Sequence, residues 1–424
     1  MSTQLDRIAE IAKANRKLRF TSLIHLITPE FLMETWGLMN KRGAAGVDGE
    51  TGDVFGQNLE ERCTNLVTRL KRGAYKAPPV RRVNIPKGEG KTRPLGIPTV
   101  EDRLLQRAVT RILEAIYEQD FLDCSYGFRP GRSPHGAIKV LRDHCMAGRV
   151  TQVFETDIRG FFNNICQKWL MRMLKLRIGD SSILRLIGKW LRAGVLVDGL
   201  VTRSEKGTPQ GGPASPLLAN IYLHYALDLW FEKRIKPFCE GKAYLTRFAD
   251  DFVASFEYKG EAEFFQVVCR SRLGHFGLEL ADEKTGLHAF GRMPTTWGRP
   301  TGHFDFLGFS HRSRMNSKGQ YLVVRIPTAK SCRKFLEGTK AWLKRFRHAT
   351  RKEQREALTS KLLGFYRYFG LPHCVHRLNT IRFHVLNQWR RALLRQSQRS
   401  KATWVNLNRC SWFDLPKARV YLLI

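Results

Sequence analysis

Between residues 244 and 256 the chain carries strand-favouring residues on both sides of two carboxylates, as Tyr244-Leu245-Thr246-Arg247-Phe248-Ala249-Asp250-Asp251-Phe252-Val253-Ala254-Ser255-Phe256. That pattern predicts a β-hairpin with Asp250 and Asp251 at its tip. Upstream, Val153-Phe154-Glu155-Thr156-Asp157 reads as a short apolar strand running into a carboxylate. Gly160, Phe161 and Phe162 then predict a turn into a helix that begins near Asn163. Helical periodicity places Leu5, Ile8, Ile11 and Ala12 on one face, and a second apolar face follows across residues 23–38 around Pro29. Further helices are predicted over 59–70, 102–117, onward from Asn163 to about Ala193, and 263–273. A β-ribbon with a Gly-rich tip is predicted over 81–98, and Phe304-Asp305-Phe306-Leu307-Gly308-Phe309 reads as one strand with an aromatic face.

Two loops interrupt this pattern with residues that tolerate unusual backbone. Lys206-Gly207-Thr208-Pro209-Gln210-Gly211-Gly212-Pro213-Ala214-Ser215-Pro216 precedes an apolar helix that begins at Ser215 or Pro216. Its backbone can lie against a planar ligand with Gln210 free to contact a base or sugar, or it is an elaborate helix cap. Gly127-Phe128-Arg129-Pro130-Gly131-Arg132 sets two arginines beside glycines, which suits approach to a phosphate backbone or a tight turn. In the ribbon, Lys87 and Arg93 stand on opposite arms and could close over a triphosphate, or could simply be solvated.

The candidate chemistry rests on the carboxylates. Adjacent acids at a hairpin tip are commonly just a solvated turn, because Asp makes local hydrogen bonds there. If the strand ending at Asp157 neighbours the hairpin in one sheet, Asp157 and Asp250 meet at its edge and can share divalent cations. Hard cations take oxygen ligands, and two of them ~4 Å apart stabilise the attacking and leaving oxygens of phosphoryl transfer.

Charge identifies the class of partner. The chain of 424 residues holds 72 Lys and Arg against 38 Asp and Glu, a net charge of +34. With 43% hydrophobic residues it is a folded protein and not a basic tail, and an excess of that size favours a polyanion bound in a salt-dependent way. The 9 cysteines show no C-x-x-C pair or metal spacing, which predicts reduced thiols and a cytoplasmic setting. No secretory leader and no run of ~18 apolar residues are present, so no membrane partner is expected. Residues 325–424 hold 23 Lys and Arg against 4 Asp and Glu, interleaved with aromatic residues such as Phe335, Trp342, Phe365, Tyr368 and Trp389. Much of that aromatic stripe must be core, and the cationic faces left over suit RNA or a heteroduplex recognised by shape and phosphate. A boundary is predicted near Val324.

Taken together and in order, these segments resemble the group II intron-encoded reverse transcriptase/maturase family from about Gly43 onward. The resemblance is carried by Ile85-Pro86-Lys87 with Arg93-Pro94-Leu95-Gly96-Ile97-Pro98, Gly127-Phe128-Arg129-Pro130-Gly131-Arg132, Asp157 with Phe161-Phe162, Gly207-Thr208-Pro209-Gln210-Gly211-Gly212, Phe248-Ala249-Asp250-Asp251, Lys284, and Phe306-Leu307-Gly308-Phe309. It implies an α+β fold of the right-hand polymerase type. Residues 1–79 would be an N-terminal helical extension and the start of the fingers, 80–310 fingers and an antiparallel palm sheet, and 325–424 a helical thumb and maturase region.

The activity implied is RNA-directed DNA synthesis from deoxynucleoside triphosphates with two Mg2+ ions, for which Mn2+ can substitute. Asp157, Asp250 and Asp251 match the acidic triad, and the carbonyl of Ile158 would complete one metal shell. Lys87 and Arg93 would clamp the triphosphate, Gln210 would sit near nucleotide and template, and Lys284 would face the site. Phe162, five residues after Asp157, or its neighbour Phe161 would block a ribose 2′-OH.

Implied partners are group II intron RNA, an RNA template with its DNA primer, and target DNA, with help to splicing and mobility. Phe248 stands where the family usually has Tyr, which keeps the ring and loses a hydroxyl. No Cys/His-rich nuclease follows before Ile424, so cleavage of target DNA is not expected. Two other readings share these residues: a related reverse transcriptase recruited to phage defence or CRISPR, and an RNA-binding splicing factor with a vestigial polymerase.

Overall fold

The computed structural model describes the chain except residues 1, 89–90, 148, 198–199, 203–206, 208–210, 292–301, 397–399 and 401. Helices Ser2–Ala14, Pro29–Gly37 and Leu59–Lys71 come first, as the apolar spacing predicts. The ribbon follows as β1 (Val80–Gly88) and β2 (Lys91–Ile97), antiparallel with Ile85 opposite Arg93. Helix Val100–Tyr117 buries one long apolar face, and Thr99 caps it by accepting from the amide of Asp102. Helix Pro134–Ala147 leads to β3 (Gln152–Asp157), and two short strands, β4 (Val195–Val197) and β5 (Leu200–Thr202), extend the ribbon sheet.

After helix Ser215–Leu223, whose start agrees with the Pro-Gly-rich loop before it, come β6 (Ala243–Phe248) and β7 (Asp251–Phe256). Helix Lys259–His275 separates these from β8 (Gly286–Ala289). The stretch from Phe304 to Phe309 is not one strand. It is the end of β9 (His303–Phe306), a turn at Leu307-Gly308, and the start of β10 (Phe309–Met315). Both turn residues have left-handed backbone, with φ of 51° and 79°, and the Leu conceals the turn from a reading that looks for Gly and Asn. β11 (Tyr321–Pro327) runs through the expected boundary at Val324 and pairs with β10 along its length.

Among the described residues, three sheets result: β2-β1-β4-β5, β6-β7-β3-β8 and β11-β10-β9. All pairings are antiparallel except β1 with β4. This is the expected α+β class. One apolar core runs from the N-terminal helices through helix Val100–Tyr117 to the faces of β3 and β7, and a second lies within the C-terminal helices. The latter are Ala329–Arg345, Arg351–Phe369, Val375–Leu394 and Trp404–Asn408, with Thr350 and Glu353 forming a capping box on the second of them. Buried Gln354 ties this region together: its amide donates to the carbonyls of Phe346, Arg347 and Ala349 and accepts from Trp389 Nε1 at 2.8 Å.

Two buried side chains fix the N-terminal segment to the body. Arg177 donates to the carbonyls of Ala12, Asn15 and Leu18, groups at the open end of the first helix, and pairs with Asp120 at 2.8 Å. Asp180 accepts from the amides of Leu23 and Ile24 with one oxygen and from Ser182 and Ile183 with the other. No helix among the described residues is long and apolar enough to cross a membrane.

Candidate active site

The sheet β6-β7-β3-β8 sets the acidic residues. Val153 and Phe154 are buried on β3, and Phe252, Val253 and Ala254 on β7, so both strands are held by their apolar faces. In the register between them Asp157 lies directly opposite Asp251. Residues opposite one another in an antiparallel pair project to the same face, so the two carboxylates share one side of the sheet at its end.

The hairpin closes with Phe248 opposite Asp251, which makes Ala249-Asp250 the two-residue turn. The turn is thus displaced by one residue from the Asp-Asp pair, and Asp251 is the first residue of β7. Ala249 takes the left-handed conformation, φ 58°, that such turns require. Asp250 is drawn to the strand end because its carbonyl accepts from the amide of Ile158 at 3.3 Å. Ile158 itself makes an isolated bridge to Leu280 whose bonds use the carbonyls of Asp157 and Glu279, so the carbonyl of Ile158 stands outside that bridge.

Three acids this close repel one another. Burial first, then the charges of Asp157 and Asp250, push the carboxyl of Asp251 up to about 8. Asp250 is also raised, by burial and then by Asp157, while Arg93 and Lys284 pull it back. Arg93 therefore reaches the site electrostatically from β2. Lys284 lies on the short turn Asp282–Lys284, just before β8, and its ammonium bonds directly to Asp157 Oδ2. Burial opposes the charge on Lys284, but the bond to Asp157 overrides it and its pKa lies above the ordinary value.

The donor set fits hard divalent cations. Carboxylate oxygens are the donors such ions take, and here the ammonium of Lys284 is the cation bonded to one of them, on Asp157. Among the described residues no three His, Cys, Asp or Glu side chains are drawn tightly enough to hold an ion as they stand. The salt bridge from Lys284 occupies one oxygen of Asp157.

Both phenylalanines lie on the short helix Phe161–Asn164 that follows Asp157. Phe161 is 1% exposed and Phe162 is 7% exposed. Phe162 meets Phe128 edge to face at 6.5 Å, and Phe128 is itself 54% exposed. Gln210 lies outside the described residues, as does the side chain of Lys87, whose backbone belongs to β1. The glycines on either side of Gln210, Gly207 and Gly211, are closely packed. A Cβ on Gly211 would meet the carbonyl of Gly96 at 2.4 Å, and the carbonyl of Gly207 accepts from Gln167 Nε2 at 3.0 Å.

The arginines after Gly127 are committed internally. Arg129 donates to the carbonyls of Leu122 and Ser125 and pairs with Glu118, and Arg132 pairs with Asp123. Gly127 packs on the carboxylate turn, where a Cβ would sit 2.4 Å from the amide nitrogen of Ala249.

A group of buried polar residues behind the turn escaped the sequence reading. Arg247 and Asp228 form an ion pair with neither side chain exposed, and Asn220 and Ser125 are buried beside them. The available signal was a cation inside an otherwise strand-like run, together with a lone Asn and a lone Asp in the apolar helical stretch 215–228.

Residues 85–311 match the family model described as "Reverse transcriptase (RNA-dependent DNA polymerase)". Protein YkfC of Escherichia coli (strain K12) is 34% identical over 319 residues, 67% of this chain and 84% of that protein. The group II intron-encoded protein LtrA of Lactococcus lactis subsp. cremoris is 42% identical over 225 residues, 52% of this chain and 37% of LtrA. A putative COX1/OXI3 intron 1 protein of Saccharomyces cerevisiae is 34% identical over 178 residues, 42% of this chain and 21% of that protein. The chain thus spans most of YkfC and little more than a third of LtrA.

Proposed function

The chain belongs to the reverse transcriptase (RNA-dependent DNA polymerase) family, and from that premise we propose that it copies RNA into DNA at the site formed by Asp157, Asp250 and Asp251. The observation that carries the reading is the register that sets Asp157 opposite Asp251, with the Ile158 amide bonded to Asp250. Asp157 and Asp250, with Asp251 and the carbonyl of Ile158, would hold two Mg2+ ions. Bound there, the ions would activate the primer hydroxyl and neutralise the leaving pyrophosphate.

The chain's own residues do the rest. Arg93 and Lys87 on the ribbon would bind and orient the triphosphate, as a guanidinium and an ammonium suit phosphate oxygens. Lys284 would leave Asp157 as substrate arrives and lend its charge to the site. Phe162 would meet a ribose 2′-hydroxyl, the role for which its contact with the exposed ring of Phe128 favours it over Phe161. Gln210 would lie against the nucleotide or template. In this layout the ribbon and the helices around it are fingers, the sheet β6-β7-β3-β8 is the palm, and the helices from Ala329 onward are thumb and maturase region.

The cationic C-terminal helices would bind RNA, and the group II intron-encoded relatives make an intron RNA the partner to test, with assistance to splicing as its consequence. Primer extension on an RNA template with Mg2+ tests the reading. Asp250→Ala is expected to lose DNA synthesis and keep RNA binding, and wild-type extension by that variant would refute the assignment.

A further inference from the structure

Behind the carboxylate turn lies a closed ring of buried contacts. Arg247 is fully buried and donates through Nε and Nη2 to the two oxygens of Asp228, at 2.7 and 2.6 Å. Its Nη2 also donates to Ser125 Oγ at 2.7 Å, and its Nη1 to Asn220 Oδ1 at 3.1 Å. The same Nη1 donates at 2.9 Å to the carbonyl of Ala249, the residue immediately before Asp250. Asn220 turns its other side to the carbonyl of Gly127 at 2.7 Å, and Gly127 packs on the amide of Ala249. The circuit thus runs Arg247, Asn220, Gly127, Ala249 and back to Arg247.

The backbone agrees with the side chains. Arg247 donates its amide to Cys124 and accepts from Tyr126, so the loop carrying Gly127 is stitched to β6 two residues before the turn. Asp228 ends a π-helical turn, His224–Asp228, a helix form often found at functional sites. Ala249 pays conformational energy for its left-handed backbone, and two neighbouring acids repel across the turn it leads. Some fixed interaction must hold that turn, and the guanidinium is bonded to the carbonyl that orients it.

We propose that Arg247, locked by Asp228, is a positioning residue for the reaction: through Asn220 and Gly127 it fixes the Ala249-Asp250 turn so that Asp250 and Asp251 meet Asp157 already in place. All four of Arg247, Asp228, Asn220 and Gly127 are buried. The inference rests on the proposed polymerase reading, and it assigns to a buried charge pair a role in geometry beyond core stability.

The test uses the full chain and loosens the ring without baring a charge. Asn220→Ala removes one link and leaves the Arg247–Asp228 pair whole. Gly127→Ala would thrust a methyl group to within 2.4 Å of the Ala249 amide and displace the turn. For each folded variant the affinity for Mn2+ is measured by electron paramagnetic resonance, beside kcat and the KM for primer–template.

Residues that orient metal ligands characteristically cost 10–100-fold on removal, so Mn2+ affinity and kcat should each fall by about tenfold or more. KM for primer–template should remain within about twofold, which a general loosening of the fold would not spare. Arg247→Lys, which keeps the charge but cannot make the forked contacts, should share the kcat defect.

Folded variants with wild-type Mn2+ affinity and kcat would overturn the proposal. Failure of both Asn220→Ala and Gly127→Ala to fold would overturn it too, because the ring would then be a folding element alone. A wild-type chain that neither extends a primer nor binds Mn2+ would instead sink the polymerase reading, so the two failures are distinguishable.

Discussion

Replacing Asp251 with Asn isolates the electrostatic cost of assembling the acidic site. In the folded chain the carboxyl of Asp251 is pushed up to about 8, against an ordinary value of 3.8, by burial and by its acidic neighbours. A folded-state pKa raised in this way means that the folded form holds a proton that the unfolded form has lost. The group therefore imposes no penalty below about pH 4, loses stability for the fold as pH rises, and reaches its full cost above about pH 8. A tenfold change in proton affinity is worth ~1.4 kcal/mol, so the rise from 3.8 to about 8 amounts to on the order of 3–6 kcal/mol, the lower end applying to a carboxylate that keeps some solvent contact.

Asparagine preserves the shape and never ionises. In the presence of EDTA the wild-type unfolding midpoint should fall relative to that of Asp251→Asn between pH 5 and pH 8. Millimolar Mg2+ should remove much of that difference, because a cation binding there displaces the proton and relieves the repulsion. Parallel midpoint curves for the two proteins in EDTA would show that Asp251 is not held protonated, and the crowding of acids would then carry no such cost.

Phe162→Ala should admit ribonucleotides that the wild type rejects, whereas Phe161→Ala, which empties a buried position, should chiefly destabilise the fold by ~3–5 kcal/mol in urea unfolding. Ribonucleotide incorporation unchanged in Phe162→Ala would remove it as the sugar-facing ring. His311 is buried, and burial, with the charge of Arg325, pushes it down to about 3 from an ordinary 6.5. Its folded-state pKa is depressed, so the stability it permits is complete above about pH 6.5 and declines as pH falls toward 3; His311→Phe, stacking on Phe304 as the imidazole does, should flatten that part of the acid limb. RNA binding by the full chain should weaken steeply and linearly in a plot of log affinity against log salt, since 23 Lys and Arg stand against 4 Asp and Glu in residues 325–424. A flat salt response would show that those cations do not meet phosphate.

How far the sequence could be read depended on whether a feature is local. The ribbon at 80–97 and the hairpin at 243–256 were legible because strand-favouring runs flank turn-forming residues within a few positions. The helix start at Ser215 belongs to the same class. Local rules failed where an unlikely residue took a special conformation: Leu307 hid the turn between β9 and β10, and Ala249 moved the hairpin turn off the Asp-Asp pair. The boundary expected at Val324 followed a change in charge, but charge is a property of the surface, and the strand through Val324 is specified by its inward-facing Tyr321, Val323 and Arg325.

Long-range register was beyond any local rule. Asp157 and Asp251 are almost a hundred positions apart, and a one-residue slip between β3 and β7 would have turned the two carboxylates to opposite faces. What prevents the slip is not at the acids at all. Phe154 and Phe252 are fully buried, and a shifted strand would carry such rings toward solvent, so the apolar side of the sheet fixes the polar chemistry on its edge. Arg247 escaped notice for a related reason. A cation in a strand is costly when buried alone, and its partners Asp228, Asn220 and Ser125 come from two other segments whose convergence no periodicity announces. The acids could be named from the sequence because their own side chains would do the chemistry; the residues that aim them could not, because their function exists only in contact.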